Sequence, residues 1–81
     1  MDITLNEFTT ALIGRVKTLL DTNEARPNPL GRREIIWYVK GAVDCFLVVL
    51  GNPEHADADC VVANIVIDAG VLDRLPPENE A

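Results

Sequence analysis

Residues 35–50 read IIWYVKGAVDCFLVVL, sixteen positions of which only Lys40 and Asp44 carry charge. A run this apolar has to be withdrawn from water, and its composition narrows how. It is shorter than the roughly 20 residues a bilayer span needs. Lys40 and Asp44 would also lie mid-bilayer at about 2.5 to 3.5 kcal/mol each. No membrane span is therefore expected. Wound at helical period, Ile35, Tyr38, Val39, Ala42, Val43, Cys45, Phe46, Val49 and Leu50 fall on one broad arc, which is expected to face a core.

The opposite side of the same helix gathers Arg33, Lys40 and Asp44, as a wet face should, but Trp37 and Val48 share that sector and Gly41 lies beside them. Arg33, Trp37, Lys40, Gly41, Asp44 and Val48 therefore form a candidate contact strip with Trp37 as its anchor. Tryptophan and arginine dominate binding hot spots because rigid, amphipathic groups bury much area at modest entropic cost. The competing expectation is structural: Trp37 packs beneath the ARPNPL segment or the proline-containing tail, with Arg33 or Lys40 stacked on its ring.

The flanking segments also read as helices. Thr4 and Glu7 have capping-box spacing, with Ile3 and Phe8 at the staple positions. Leu5, Phe8, Leu12, Val16 and Leu19 then recur every three or four residues, widened by Ile13 and Leu20. The first helix is expected over 5–21, with Arg15 and Lys17 on its wet side. The segment TNEARPNP, 22–29, has two prolines, two asparagines and no periodicity, so it reads as a loop. Asn28 and Pro29 make an N-cap and first-turn pair that opens the second helix there or a turn later, and Gly51 closes it. Asn52, Pro53 and Glu54 repeat the device for a third helix over 53–68.

Ala58, Val61, Val62, Ile65, Ala69 and Leu72 continue an apolar stripe across Gly70. Because glycine weakens a helix interior by roughly 1 kcal/mol, a break and a short fourth helix over 71–75 are expected. VVANIVI has β-branched support for a strand, but its neighbour EHADADC reads as a helix start, so helix is preferred. The expected fold class is all-α: a small single-domain bundle of three main helices with a short fourth helix, occupying 1–75, followed by a mobile acidic tail over 76–81. Eighty-one residues leave room for one core.

Charge is uneven. The chain carries −6 overall; residues 1–40 hold six cations against five acids, and residues 41–81 hold Arg74 against eight acids. An acidic half repels phosphate, so direct nucleic-acid binding is not expected. The same field attracts a basic protein surface, or imitates a nucleic acid before a protein that binds one. Cys45 and Cys60 are too few for a disulfide framework, and no basic-then-apolar leader precedes the first helix signal, so a reducing cytoplasm is expected. Both thiols lie in apolar runs and are expected to act as small buried hydrophobes. A hairpin about Gly51 and Asn52 would bring Cys45 within about one helical turn of Cys60. Neither thiol has an adjacent cation to lower its pKa, so a redox pair is disfavoured.

Catalytic patterns are thin. The chain has no serine and one histidine, His55, so a Ser, His, Asp triad is excluded and any Cys and His pair must use His55. His55 and Asp59, at i and i+4 with Cys60 beside them, have a spacing that can converge on a metal, but no second ligand cluster completes a shell. The single glycines form no phosphate loop. No enzyme activity, metal or cofactor is expected. The expected function is binding another protein, as a small inhibitor, immunity-type factor or adaptor of the acidic kind that phages and mobile elements encode. A homodimeric scaffold subunit and an acidic nucleic-acid mimic are the alternatives.

Overall fold

The computed structural model describes residues 3–52 and 55–77, and among them there are four helices and no strand. α1 spans Leu5–Asn23, α2 Arg32–Leu50, α3 Ala58–Asp68 and α4 Val71–Arg74. The small all-α bundle expected from the sequence is the observed fold, with α1, α2 and α3 packed on one another and α4 closing the end of α3. Residues 78–81 of the anticipated tail lie outside the described residues.

One core forms where the helical stripes converge. α1 contributes Leu12, Val16 and Leu20; α2 contributes Ile35, Val39, Val43 and Leu47; α3 and its continuation contribute Val62, Ile65, Val66, Ala69 and Val71. The stripe expected from α3 needs one correction here: Leu72 is exposed, and Val71 is the residue that reaches the interior. The break at Gly70 turns the chain with φ +79°, a left-handed conformation that glycine adopts without strain, and this rotates the following turn so that Val71 points inward.

α1 starts on the expected capping box. Glu7 N–H donates to Thr4 Oγ1 at 3.1 Å, and the Glu7 carboxylate accepts from Thr4 N–H at 3.0 Å. These two bonds satisfy donors that the first turn leaves without helical partners. Hydrogen bonds from the Thr4 backbone, then from its hydroxyl, stabilise the ionised form and hold the Glu7 carboxyl below its usual 4.5. A carboxyl whose folded pKa is depressed contributes stability above its unfolded pKa and loses it as pH falls through the folded value. Protection of the Thr4 amide from hydrogen exchange is accordingly expected to persist near neutrality and to weaken on acidification below about pH 4.5. Glu7→Gln should remove that pH dependence.

α1 continues two residues beyond the expected end, because Asn23 is buried, at 1% exposure, and its amide has a structural task. Its Oδ1 accepts from Leu30 N–H at 2.7 Å, and its Nδ2 donates to Leu30 O at 3.0 Å. Both backbone groups of Leu30 are thus engaged outside any helix. α2 consequently opens at the later of the two expected places, one turn beyond the exposed Asn28 and Pro29, at Gly31, whose N–H donates to Glu34 Oε1 at 3.2 Å.

The α2–α3 junction uses the same side-chain device. α2 ends at Gly51, in the left-handed region at φ +72°, with Asn52 N–H donating to Leu47 O at 2.9 Å in a Schellman-type closure. Asn52 is itself left-handed, at φ +46°, and its amide brackets Ala56, accepting from Ala56 N–H at 2.8 Å and donating to Ala56 O at 3.1 Å. An N-cap needs extended backbone and a free side-chain acceptor, and Asn52 has neither. The expected third helix over 53–68 therefore starts late, at Ala58, capped by Asp57, whose carboxylate accepts from Asp59 N–H at 2.9 Å. His55, expected in the first helical turn, sits in the preceding loop at φ +51°. Pro53 and Glu54 lie outside the described residues.

Two arginines fasten α4. Arg32, at the start of α2, donates through Nε and Nη2 to Leu75 O at 2.9 and 2.6 Å and through Nη2 to Leu72 O at 3.0 Å. A cation on terminal helix carbonyls satisfies orphan acceptors and opposes the negative end of the helix dipole. Arg74 reaches the other way, to Asp21 of α1 at 2.9 Å and to Glu24, the residue just beyond its end, at 2.6 Å.

Candidate functional site

The core-facing side of α2 is narrower than the sequence arc implied. Ile35, Val39, Val43 and Leu47 are buried, and Ile36, Ala42, Phe46 and Leu50 flank them. Phe46 stacks on Phe8 of α1, with ring centroids 3.9 Å apart and planes 8° from parallel. Tyr38, Cys45 and Val49, assigned to that arc, are instead exposed. α1 and α3 cover only the side of α2 centred on Val39 and Val43. Residues 38, 45 and 49 lie beyond the edge of that coverage.

The outer side of α2 is consequently more apolar than expected. Trp37 is 63% exposed, which answers the alternative in which the ring packs beneath the 25–30 loop or the tail. Val48 is 79% exposed, Val49 72% and Tyr38 43%. Gly41 lies in their midst, and a Cβ built on it would meet no heavy atom within 4 Å. Arg33, Lys40 and Asp44 are exposed along one border. All six residues of the candidate strip thus lie on one outward helix face. Tyr38, Cys45 and Val49 extend it along the other border. Their exposure was hidden in the sequence because tyrosine, cysteine and valine at helical spacing are read as core when the neighbouring helices' width is unknown.

Lys40 also forms part of a shallow cleft with Ile36, Asp59, Val62, Val66 and Leu72, so the strip's charged border continues toward α3 and α4. A second apolar hollow lies between the start of α1 and the end of α2, lined by Ile3, Leu5, Phe46 and Leu50.

Chemistry based on the thiols and on His55 gains nothing from the geometry. Cys45 and Cys60 are free and exposed, contrary to the expectation that both are buried. Cys60 is next to the cap of α3. The negative charge of Asp57, then its hydrogen bond, burial and the charge of Asp59, push its thiol pKa up and disfavour the reactive thiolate. Among the described residues, no group of three or more His, Cys, Asp and Glu side chains is placed to share a metal ion. Also among the described residues, no helix is long and apolar enough to cross a membrane. Comparison with family models, with curated proteins and with solved structures returns no match.

Proposed function

We propose that this chain is a non-catalytic protein-binding module of the inhibitor or adaptor kind, and that it acts by laying the outer face of α2 against another polypeptide. The observation that carries this reading is the exposure of Trp37 in company with Val48 and Val49, on a helix whose opposite face already supplies the core. Exposed apolar residues scattered singly are ordinary, whereas a contiguous apolar strip with a polar border marks an interaction surface. The mixed charges of Arg33, Lys40 and Asp44 supply a border that orients a partner more than it adds affinity.

Trp37→Ala tests it. Because the ring is mostly outside the fold, the substitution is expected to move stability by no more than about 0.5 kcal/mol. That corresponds to a thermal midpoint shift of about 2 to 4 °C. In affinity capture from a native lysate, wild type should retain a partner that Trp37→Ala loses. Equal capture by the two proteins would overturn the assignment of the face, and a large fall in thermal midpoint would show that the indole serves the fold instead.

A further inference from the structure

The outer face of α2 has a size and charge pattern that is complementary to its own copy turned end over end. We infer that its occupant is a second copy of this chain, packed antiparallel about a two-fold axis close to the midpoint of Gly41 and Cys45. This rests on the reading of the face as a protein contact and names the partner.

Size is the first argument. The N-terminal half of the strip carries the two large rings, Trp37 and Tyr38, and the C-terminal half carries the two small exposed side chains, Val48 and Val49. Between them lie Gly41, with open space where a Cβ would be, and the exposed Cys45. An antiparallel partner sets each large half against the small half of the other copy, with Trp37 over the partner's Val48 and Tyr38 over the partner's Val49. A parallel partner sets ring against ring and leaves a gap at the valines. Gly41 and Cys45 meet at the centre, where low side chains allow helix axes to approach within the usual 8 to 10 Å.

Charge is the second argument. Lys40 and Asp44 lie on the same border of the strip, and no ion pair joins either of them to another group among the described residues. A two-fold axis perpendicular to the helices brings this border alongside its own copy, running the opposite way. With the axis at the Gly41–Cys45 midpoint, Lys40 and the partner's Asp44 are separated along the helix by two residues, about 3 Å. The pair forms twice by symmetry. A like-charged border would instead repel itself, so the opposite signs at these two positions are what an isologous contact requires.

Area sets the strength. Large aromatic side chains present roughly 150–250 Å² when fully exposed, so the partly exposed rings and the two valines give on the order of 1,000 Å² across both copies. That is near the threshold for a biological interface and below the range of stable ones, as suits a weak, reversible dimer.

Sedimentation equilibrium across micromolar to submillimolar concentrations, on wild type, Lys40→Asp, Asp44→Lys and the double swap, tests the arrangement. Wild type is expected to pass from monomer to dimer. Each single substitution makes both symmetric pairs repulsive and should weaken dimerisation by about tenfold or more, which is about 1.4 kcal/mol. The double swap recreates opposite charges and should return most of the loss. A wild type that stays monomeric throughout overturns the inference, as does a double swap no better than the singles. Val48→Asp, which puts a carboxylate against the partner's Trp37 and touches no core residue, should abolish the dimer independently, and a Val48→Asp dimer of wild-type strength also overturns it. Failure here is separable from failure of the wider reading: if wild type is monomeric and Trp37→Ala still loses a captured protein, only the second copy is excluded.

Discussion

Asn23→Ala is expected to destabilise the chain by about 2 to 4 kcal/mol, because it leaves the Leu30 N–H and C=O without the partners that Asn23 supplies. The site is nearly closed to solvent, and water cannot easily replace the lost amide. For a domain this small, total stability is on the order of 4 to 12 kcal/mol. The loss should therefore lower the thermal midpoint by about 10 to 25 °C. Asn23→Asp is a sharper control, since it keeps the shape and the acceptor for Leu30 N–H but replaces the donor facing Leu30 O. The introduced carboxyl, when protonated, restores that donor, so its folded pKa is raised above the unfolded value near 3.9. The Asn23→Asp protein should then be most stable in acid, below the unfolded pKa, and should lose stability as pH rises through the folded one. Thermal melts of both variants across pH check this, and an Asn23→Ala midpoint within a few degrees of wild type would contradict the clamp.

Arg32→Met should have the next largest effect, about 2 kcal/mol, since hydrogen bonds made by a charged group contribute more than neutral ones and methionine retains much of the side-chain length without the donors. Leu72 and Leu75 carbonyls lose their caps together, so the damage should concentrate at the C-terminal end. Hydrogen exchange is the discriminating readout: amides of 71–75 should exchange much faster while those in the middle of α1 and α2 follow only the global loss. Arg74→Met is the comparison. Its bonds go to Asp21 and Glu24, both well exposed, where water and salt weaken an ion pair, so it should cost a small fraction of the Arg32 loss. Equal effects from the two arginines would contradict the distinction between capping helix carbonyls and pairing surface charges.

Much of the fold was legible in local chemistry. The Thr4 and Glu7 spacing places the start of α1 correctly, Gly51 ends α2, and Gly70 separates α3 from a short fourth helix, because each feature depends on a few adjacent residues. What was not legible depends on side chains acting across a loop. Asn52 looks like an N-cap in the sequence, yet its amide is committed to Ala56, and Asn23 looks like a loop residue, yet it is the one buried polar side chain among the described residues. Likewise, the sequence identified the strip of Arg33, Trp37, Lys40, Gly41, Asp44 and Val48 as one face, because that follows from helical period alone. It assigned Tyr38, Cys45 and Val49 to the core, because how far neighbouring helices wrap around α2 is a tertiary property that period does not contain.

Trp37 is the only tryptophan in the chain, so indole fluorescence reports on the outer face of α2 without interference from a second site. Acrylamide quenching of dilute, monomeric protein tests most directly whether that face is free to receive a partner. Red-shifted emission, with quenching that approaches that of an indole in an unfolded peptide, is the expected result; blue-shifted emission that resists quenching at the same dilution would contradict it.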